Sequence, residues 1–349
     1  VESGPGYSHS VSYTFDTQNN LTEQVESVNG TKHTTTYAYD LDNRIVSVDT
    51  DGIIYNVSYD SYGRVEQTVT NNVITETYVY RSSFADVSQK NIQYGMYTLS
   101  NNYAYDDNGN MANTDFQGVQ YKYGYDSENQ LIREDNQAEG RSWMWDYDDS
   151  GNILSRTEYL YTTGILRDPI DVVEYVYGNE SWGDLLTSYD GKAITYDSIG
   201  NPLTYGNITY TWEHGRELAS LSDGTTTWTY TYDANGMRTS RTNGTKTYNY
   251  VYNGNQLTQM TVGNDTLFFT YGAVGPIAVT WNGTTYYYAV NGQGDVIGIF
   301  DGAGNCVVTY HWDNAWGYNP EPEGAMAATL GTLNPLRYRG YVYDVETRL

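Results

Sequence analysis

The chain is poor in cysteine, proline and basic side chains, and each shortage excludes something. One cysteine in 349 residues, Cys306, rules out an internal disulfide. With the four histidines His9, His33, His214 and His311 scattered, no Cys/His grouping has zinc spacing, and the sequence calls for no cofactor and no metal. Eighteen Lys and Arg stand against 43 Asp and Glu, a formal net charge of −25. Such a surface repels phosphate backbones and anionic lipid, so nucleic acid is not expected as a partner. No run of about 18 apolar residues exists, so no membrane-inserted helix is expected. Val1 opens on no charged-then-apolar leader, and the sequence reads as a piece of something larger.

What is present is tyrosine: 39 Tyr against 6 Phe and 8 Trp, with 35 Gly. With abundant Thr and Asn, this mix favours strands and turns over helices. The tyrosines recur in a unit, Tyr-x-Tyr-Asp-x-x-Gly-Asn/Arg-apolar. It reads Tyr103-Ala104-Tyr105-Asp106-Asp107-Asn108-Gly109-Asn110-Met111, and again Tyr230-Thr231-Tyr232-Asp233-Ala234-Asn235-Gly236-Met237-Arg238. Further copies are Tyr39-Asp40, Tyr59-Asp60 with Gly63, Tyr125-Asp126, Tyr147-Asp148 with Gly151, and Tyr196-Asp197 with Gly200; looser ones centre on Phe15-Asp16, Trp212-Glu213 and Tyr252-Asn253. The interval from Asp40 to Asp60, from Asp106 to Asp126 and from Asp233 to Asn253 is 20 residues each time.

One unit shows why it folds. In Trp228-Thr229-Tyr230-Thr231-Tyr232 the rings take alternate positions, which is strand periodicity with one aromatic face and one threonine face. Asp233 then offers a carboxylate to the amides ahead of it, and Gly236 accepts positive φ, so the chain turns. Residues 237–242 form the return strand, and Asn243-Gly244 is a strong hairpin signal. Each unit is two strands and two turns. A lone unit cannot bury its rings, so the array holds only by stacking. The expected fold is all-β: antiparallel hairpin repeats forming a curved or spiralling single-layer shell, whose edges close on themselves or pair with another chain. Regularity lapses near 94–102, near 156–184 (a loop or insertion holding Asp168-Pro169) and near 317–335, with room for one helical turn. The expected division is a hairpin array over 1–285 and a distinct segment over 286–349.

That last segment carries Tyr286-Tyr287-Tyr288, Gly292-Gln293-Gly294-Asp295, Asp301-Gly302-Ala303-Gly304-Asn305, Tyr310-His311-Trp312-Asp313, and Asn334-Pro335-Leu336-Arg337-Tyr338-Arg339-Gly340-Tyr341-Val342-Tyr343-Asp344-Val345-Glu346-Thr347. With the repeats, it resembles the rearrangement-hotspot (Rhs) or YD-repeat family, over nearly the whole chain. The segment looks like the last repeats and the start of that family's core, with Asn334, Pro335, Arg337, Gly340, Tyr341, Asp344 and Glu346 in the core-like motif. The resemblance implies a hollow β-shell that encloses or presents a C-terminal polymorphic toxin in interbacterial competition, in a secreted or cell-surface bacterial protein. Related shells occur in insecticidal toxin complexes and teneurins. The implied partners are the toxin cargo or the remainder of the same polypeptide, and other shell or surface proteins. Arg348 stands where the family usually has Gly, and the aspartyl self-cleavage motif is not reached by Leu349, so no catalytic residue is carried over and the chain is read as a non-enzyme.

Other readings are weaker. Asp106 and Asp148 open stretches like calcium loops, but the twelfth positions are Gln117 and Tyr159, where Glu is needed. Asn29, Asn243 and Asn282 head Asn-x-Thr triplets whose Asn-Gly cores already serve as turns. The tryptophans Trp143, Trp145, Trp182, Trp212, Trp228, Trp281, Trp312 and Trp316 could form sugar platforms, so the alternative function is an adhesion or carbohydrate-binding module with a glycan partner. Trp182 and Trp316 lie in irregular stretches and are the better candidates for contact with a partner. Asp106/Asp107 and Asp148/Asp149 lack facing carboxyls; Asp301 and Asp344 are the acids that merit inspection. Arg44, Arg64, Arg216 and Arg238 follow the turns, where each can pair with its own repeat carboxylate or an acidic neighbour on the next hairpin.

Overall fold

In a computed structural model, residues 2–4, 7–81, 85–311, 315–317 and 321–348 are described. Trp312, Asp313 and Pro320 lie outside them. The expected all-β fold is what the chain adopts. Among the described residues thirty strands run in sequence order, each antiparallel to the next, as in Thr31–Tyr39 with Ile45–Thr50 and Ile53–Tyr59 with Val65–Thr70. Among the described residues, helix is confined to one π-type turn, Ala327–Gly331, and one 3-10 turn, Tyr338–Gly340. The irregular stretch near 156–184 contributes two strands, Ile153–Leu160 and Asp171–Val176, which pair over four positions around a loop at 161–170.

The alternation does what its period requires. In Thr227–Tyr232, Trp228 and Tyr230 are buried while Thr227, Thr229 and Thr231 are exposed. The ribbon therefore has a buried aromatic face and an open polar one. It also bends. The ladder slips by one residue at the motif's second aromatic, between Ala38 and Tyr39, Ser58 and Tyr59, Ala104 and Tyr105, and Thr231 and Tyr232. A bulge adds twist and curvature to its strand, and its recurrence at the motif aromatic of repeat after repeat curls the ribbon.

The curl brings the C-terminal third back onto the N-terminal part. The stretch Asp265–Phe300 packs against strands between Thr31 and Tyr105, in a buried cluster that includes Tyr55, Ile74, Ile92, Ala278, Tyr287 and Phe300. Side chains make this seam. Tyr13 donates to Asn253 Oδ1 (2.8 Å), Thr258 to Glu26 Oε1 (2.7 Å) and Asn71 Nδ2 to the Tyr287 hydroxyl (2.9 Å). His33 stacks on Phe268, with ring centres 3.6 Å apart. At Gly272 and Gly292 a Cβ would lie 2.7 Å from the Tyr55 ring and 2.6 Å from the Tyr103 ring, so only glycine allows this approach. The ribbon curls onto itself without closing its sheet: among the described strands, the edge strands Glu2–Gly4 and Cys306–Thr309 each pair with one neighbouring strand.

Candidate functional site: the repeat turn, the buried face and the C-terminal seat

Each repeat turn is closed from within. Asp60 Oδ1 accepts the amides of Tyr62 (2.8 Å) and Arg64 (3.0 Å), its backbone amide bonds the Arg64 carbonyl (2.8 Å), and Gly63 takes φ 79°. The same pair of amide contacts recurs at Asp40, Asp106, Asp126, Asp148, Asp197 and Asp233. Gly109, Gly151, Gly200 and Gly236 hold positive φ there, and Asn43 and Asn129 do so where glycine is missing. The second carboxylate oxygen is taken as well: by Asn110 at Asp106 (3.0 Å), by Asn152 at Asp148 (2.9 Å), and by Arg44 Nε at Asp40 (2.7 Å). The Arg44 side chain and the turn amides hold the Asp40 carboxyl below the usual carboxylate range. With both oxygens of Asp106 and Asp148 committed to their own turns, these carboxylates are built into the fold and point at no reacting group.

The motif tyrosine ties one hairpin to the one before. Tyr39 donates its hydroxyl to the Leu21 carbonyl, Tyr59 to Ile45, Tyr105 to Val87, Tyr125 to Met111, Tyr147 to Leu131, Tyr196 to Leu186 and Tyr232 to Leu218, at 2.7–3.2 Å. Trp212 does the same with its indole N–H to Pro202 (2.7 Å). The ring is half-buried while its polar tip reaches a backbone acceptor, which explains tyrosine over phenylalanine.

Arg44 and Arg64 pair with Asp40 and Asp60, each at 2.6 Å. The other two arginines differ. Arg216 donates to the Ile199 carbonyl (3.0 Å), and Arg238 reaches across the ribbon to Asp344. The reason is packing: the segment after Leu333 lies on the buried face beneath Arg238, and its carboxylate is nearer than the Asp233 turn.

That segment carries a largely buried group of ion pairs. Asp344, 1% exposed, accepts hydrogen bonds from the two terminal guanidinium nitrogens of Arg238 (2.6 and 2.8 Å) and faces Arg241 at 3.4 Å. Glu346 receives Arg241 (2.8 Å), Lys246 (2.7 Å) and the Tyr248 hydroxyl (2.6 Å). Burial alone would raise the Glu346 pKa; Lys246, Tyr248 and Arg241 outweigh it and hold it at about 2. Arg241 also lies over the rings of Tyr248 (3.9 Å) and Trp228 (4.8 Å). Asn334 bonds the Tyr288 and Tyr310 hydroxyls and the Leu336 carbonyl, and Arg337 donates to the carbonyls of Gly331 and Asn334. Tyr341 is exposed, and Gly340 takes φ 71°. Pro335 is buried and its carbonyl accepts the Tyr343 amide (2.9 Å). Asn334 and Arg337 at one place, and Asp344 and Glu346 at another, thus anchor an irregular segment, and Asp301 is a repeat-type turn bonded to Ala303 and Asn305.

Sequence reading missed Glu134 and the pair Glu76–Lys90. Glu134, 1% exposed, accepts the Ala315 amide (2.9 Å); burial pushes its pKa up to about 7. Lys90 Nζ lies 2.9 Å from Glu76 on the buried face. The available signal was their position in the strand alternation, in register with aromatics. The tryptophans divide. Trp143, Trp145 and Trp228 are buried and cannot stack on sugar. Trp182 and Trp316 are exposed, yet Trp182 covers Gly200, and Trp316 sits edge-on to Trp145 at 6.3 Å.

No family model matches the chain. It is 30% identical over 233 residues to the tRNA nuclease WapA of Bacillus subtilis (strain 168), covering 64% of this chain and 9% of that protein. It is 30% identical over 187 residues to the tRNA3(Ser)-specific nuclease WapA of Bacillus spizizenii, covering 47% of this chain and 7% of that protein. In fold it is similar to a mutant Tc holotoxin pore of Photorhabdus luminescens (TM-score 0.72, 15% identity) and to TcdB2-TccC3 without hypervariable C-terminal region (TM-score 0.72, 14% identity). Each likeness covers 96% of this chain and 19% of the other. At that identity the likeness is one of fold, and the chain spans less than a tenth of the curated relatives' length.

Proposed function

We propose that this chain is a stretch of wall in the β-shell of a toxin-carrying protein of Rhs/YD-repeat type, secreted or at the bacterial surface, whose shell encloses or presents a cargo used in competition between bacteria. One observation carries the reading: a continuous antiparallel ribbon whose bulges curl it until its C-terminal third packs on its beginning. Such a wall works mechanically. Turn carboxylates fix the hairpins, tyrosines lash each hairpin to the last, and the seam joins successive coils. The fold shared with Tc toxin assemblies supports this, as does the stretch shared with WapA nucleases. We assign no nuclease activity to this chain. Its net charge of −25 repels RNA, and its turn carboxylates are spent on amides.

The test is protease protection in the full polypeptide encoded by the gene. Enclosed cargo should resist trypsin until urea opens the shell, then be cut with it. Cargo cut at the same rate in native buffer as in urea, or a gene product with no cargo domain at all, would refute enclosure.

A further inference from the structure

A chain without disulfides has another covalent staple within reach. Lys90, in Val87–Tyr94, stands directly opposite Asn101, in Tyr97–Tyr105, in the antiparallel register. Both are on the buried face, 3% and 5% exposed. A buried lysine and a buried asparagine are each uncommon, and here they face each other. The Asn101 side-chain NH2 has no hydrogen-bond partner, an expensive omission for a buried amide. The third member is Glu76 on the preceding strand, 8% exposed, with Oε1 2.9 Å from Lys90 Nζ. Tyr78 (2.7 Å) and Thr68 (3.2 Å) donate to the other oxygen of Glu76 and fix its position. Ile92 and Tyr103 are buried neighbours in the same two strands.

We propose that Lys90 and Asn101 are joined by an intramolecular isopeptide bond, formed with Glu76 as proton carrier. Opposed Cβ atoms in a ladder lie roughly 4.5–5.5 Å apart, within the span of a lysine side chain. Glu76 takes a proton from the Lys90 ammonium, which turns a buried ion pair into two neutral groups. The freed Nζ lone pair attacks Asn101 Cγ, and the Nζ–Cγ bond forms. The tetrahedral centre collapses with loss of the Cγ–Nδ2 bond. Glu76 returns its proton to the leaving nitrogen, Nζ gives up its second proton, and ammonium departs. Ammonium and an amide replace an ammonium and a primary amide, so charge and atoms balance, with no oxidant or cofactor. The idle Nδ2 of Asn101 is the group that leaves, and holding the reactants face to face supplies the proximity such a step needs.

Intact mass spectrometry of the purified chain decides it. The mass should fall about 17 Da, one ammonia, below that of the sequence. Tryptic digestion should leave residues 82–122 as one uncut looped peptide lighter by one ammonia, because an acylated Lys90 is no longer a cleavage site. Lys90→Arg keeps a cation beside Glu76 and should restore the full mass, as should Glu76→Gln. A wild-type chain at full mass overturns the proposal. So does a deficit that survives Lys90→Arg, because a succinimide at an Asn-Gly turn loses the same ammonia without the lysine. If either variant fails to fold, the uncut looped peptide in wild-type protein still decides, because an unlinked chain is cut after Lys90.

Discussion

Replacing Asp344 by Ala should cost about 3–5 kcal/mol in the stability of the C-terminal segment, the range for removing one partner of a buried ion pair. The size follows from what is left behind. Asp344 satisfies two nitrogens of Arg238 and lies 3.4 Å from Arg241. Arg238 keeps partial access to solvent and can recover some hydration. Arg241 is 2% exposed, and its NH1 has no partner even with Asp344 present. Glu346 would be its one remaining carboxylate. The loss should therefore be local and large, freeing residues 336–348 before the ribbon opens. Trp228 is the natural reporter, since Arg241 lies over its ring. Urea titration followed by tryptophan fluorescence should show an early step in Asp344→Ala, and amide exchange across 336–348 should speed up while that across Ile53–Tyr59 does not. Changing the pair together, Arg238→Met with Asp344→Leu, should recover much of the loss, because a buried pair replaced by apolar groups is close to neutral. A loss below about 1 kcal/mol, or unchanged exchange in 336–348, would refute the claim that this carboxylate anchors the segment.

Gly272→Ala should loosen the seam by about 1–3 kcal/mol, since its Cβ would meet the Tyr55 ring at 2.7 Å, whereas Gly283→Ala, which meets no neighbour, should cost only its positive-φ strain; thermal unfolding compares the two. Glu134 has a folded pKa raised to about 7, above its unfolded value, so the folded state holds the extra proton. Stability from that proton is complete at low pH and is lost as pH rises from about 4.5 to about 7; Glu134→Gln should flatten the curve over that window, and an unchanged slope would refute the assignment. Glu346 works in the opposite sense: its pKa of about 2 means its contribution is kept down through pH 5 and lost only as pH falls toward 2, read as late acid release of residues 336–348. Tyr59→Phe removes the bond to the Ile45 carbonyl and should cost about 1 kcal/mol in urea titration, with the fold unchanged.

The sequence by itself determined the repeat. Strand alternation at 228–232, the carboxylate at Asp233 and the glycine at Gly236 act over fewer than ten residues, so their physics is readable without knowing where the chain goes next. The tertiary structure decided the rest, because those choices depend on residues far apart in sequence. Whether Arg238 pairs with Asp233 or Asp344 depends on a segment over a hundred residues away lying beneath it. Whether Gly272 is a spacer or a necessity depends on Tyr55 arriving above it, and that follows from curvature built up one bulge at a time. The same holds for Glu134, whose charge is ordinary in the strand Leu131–Asn136 and becomes costly only once the returning chain covers it and Ala315 supplies its amide. Local chemistry fixes turns and faces; which face meets which is set by the accumulated twist, a sum no single repeat displays.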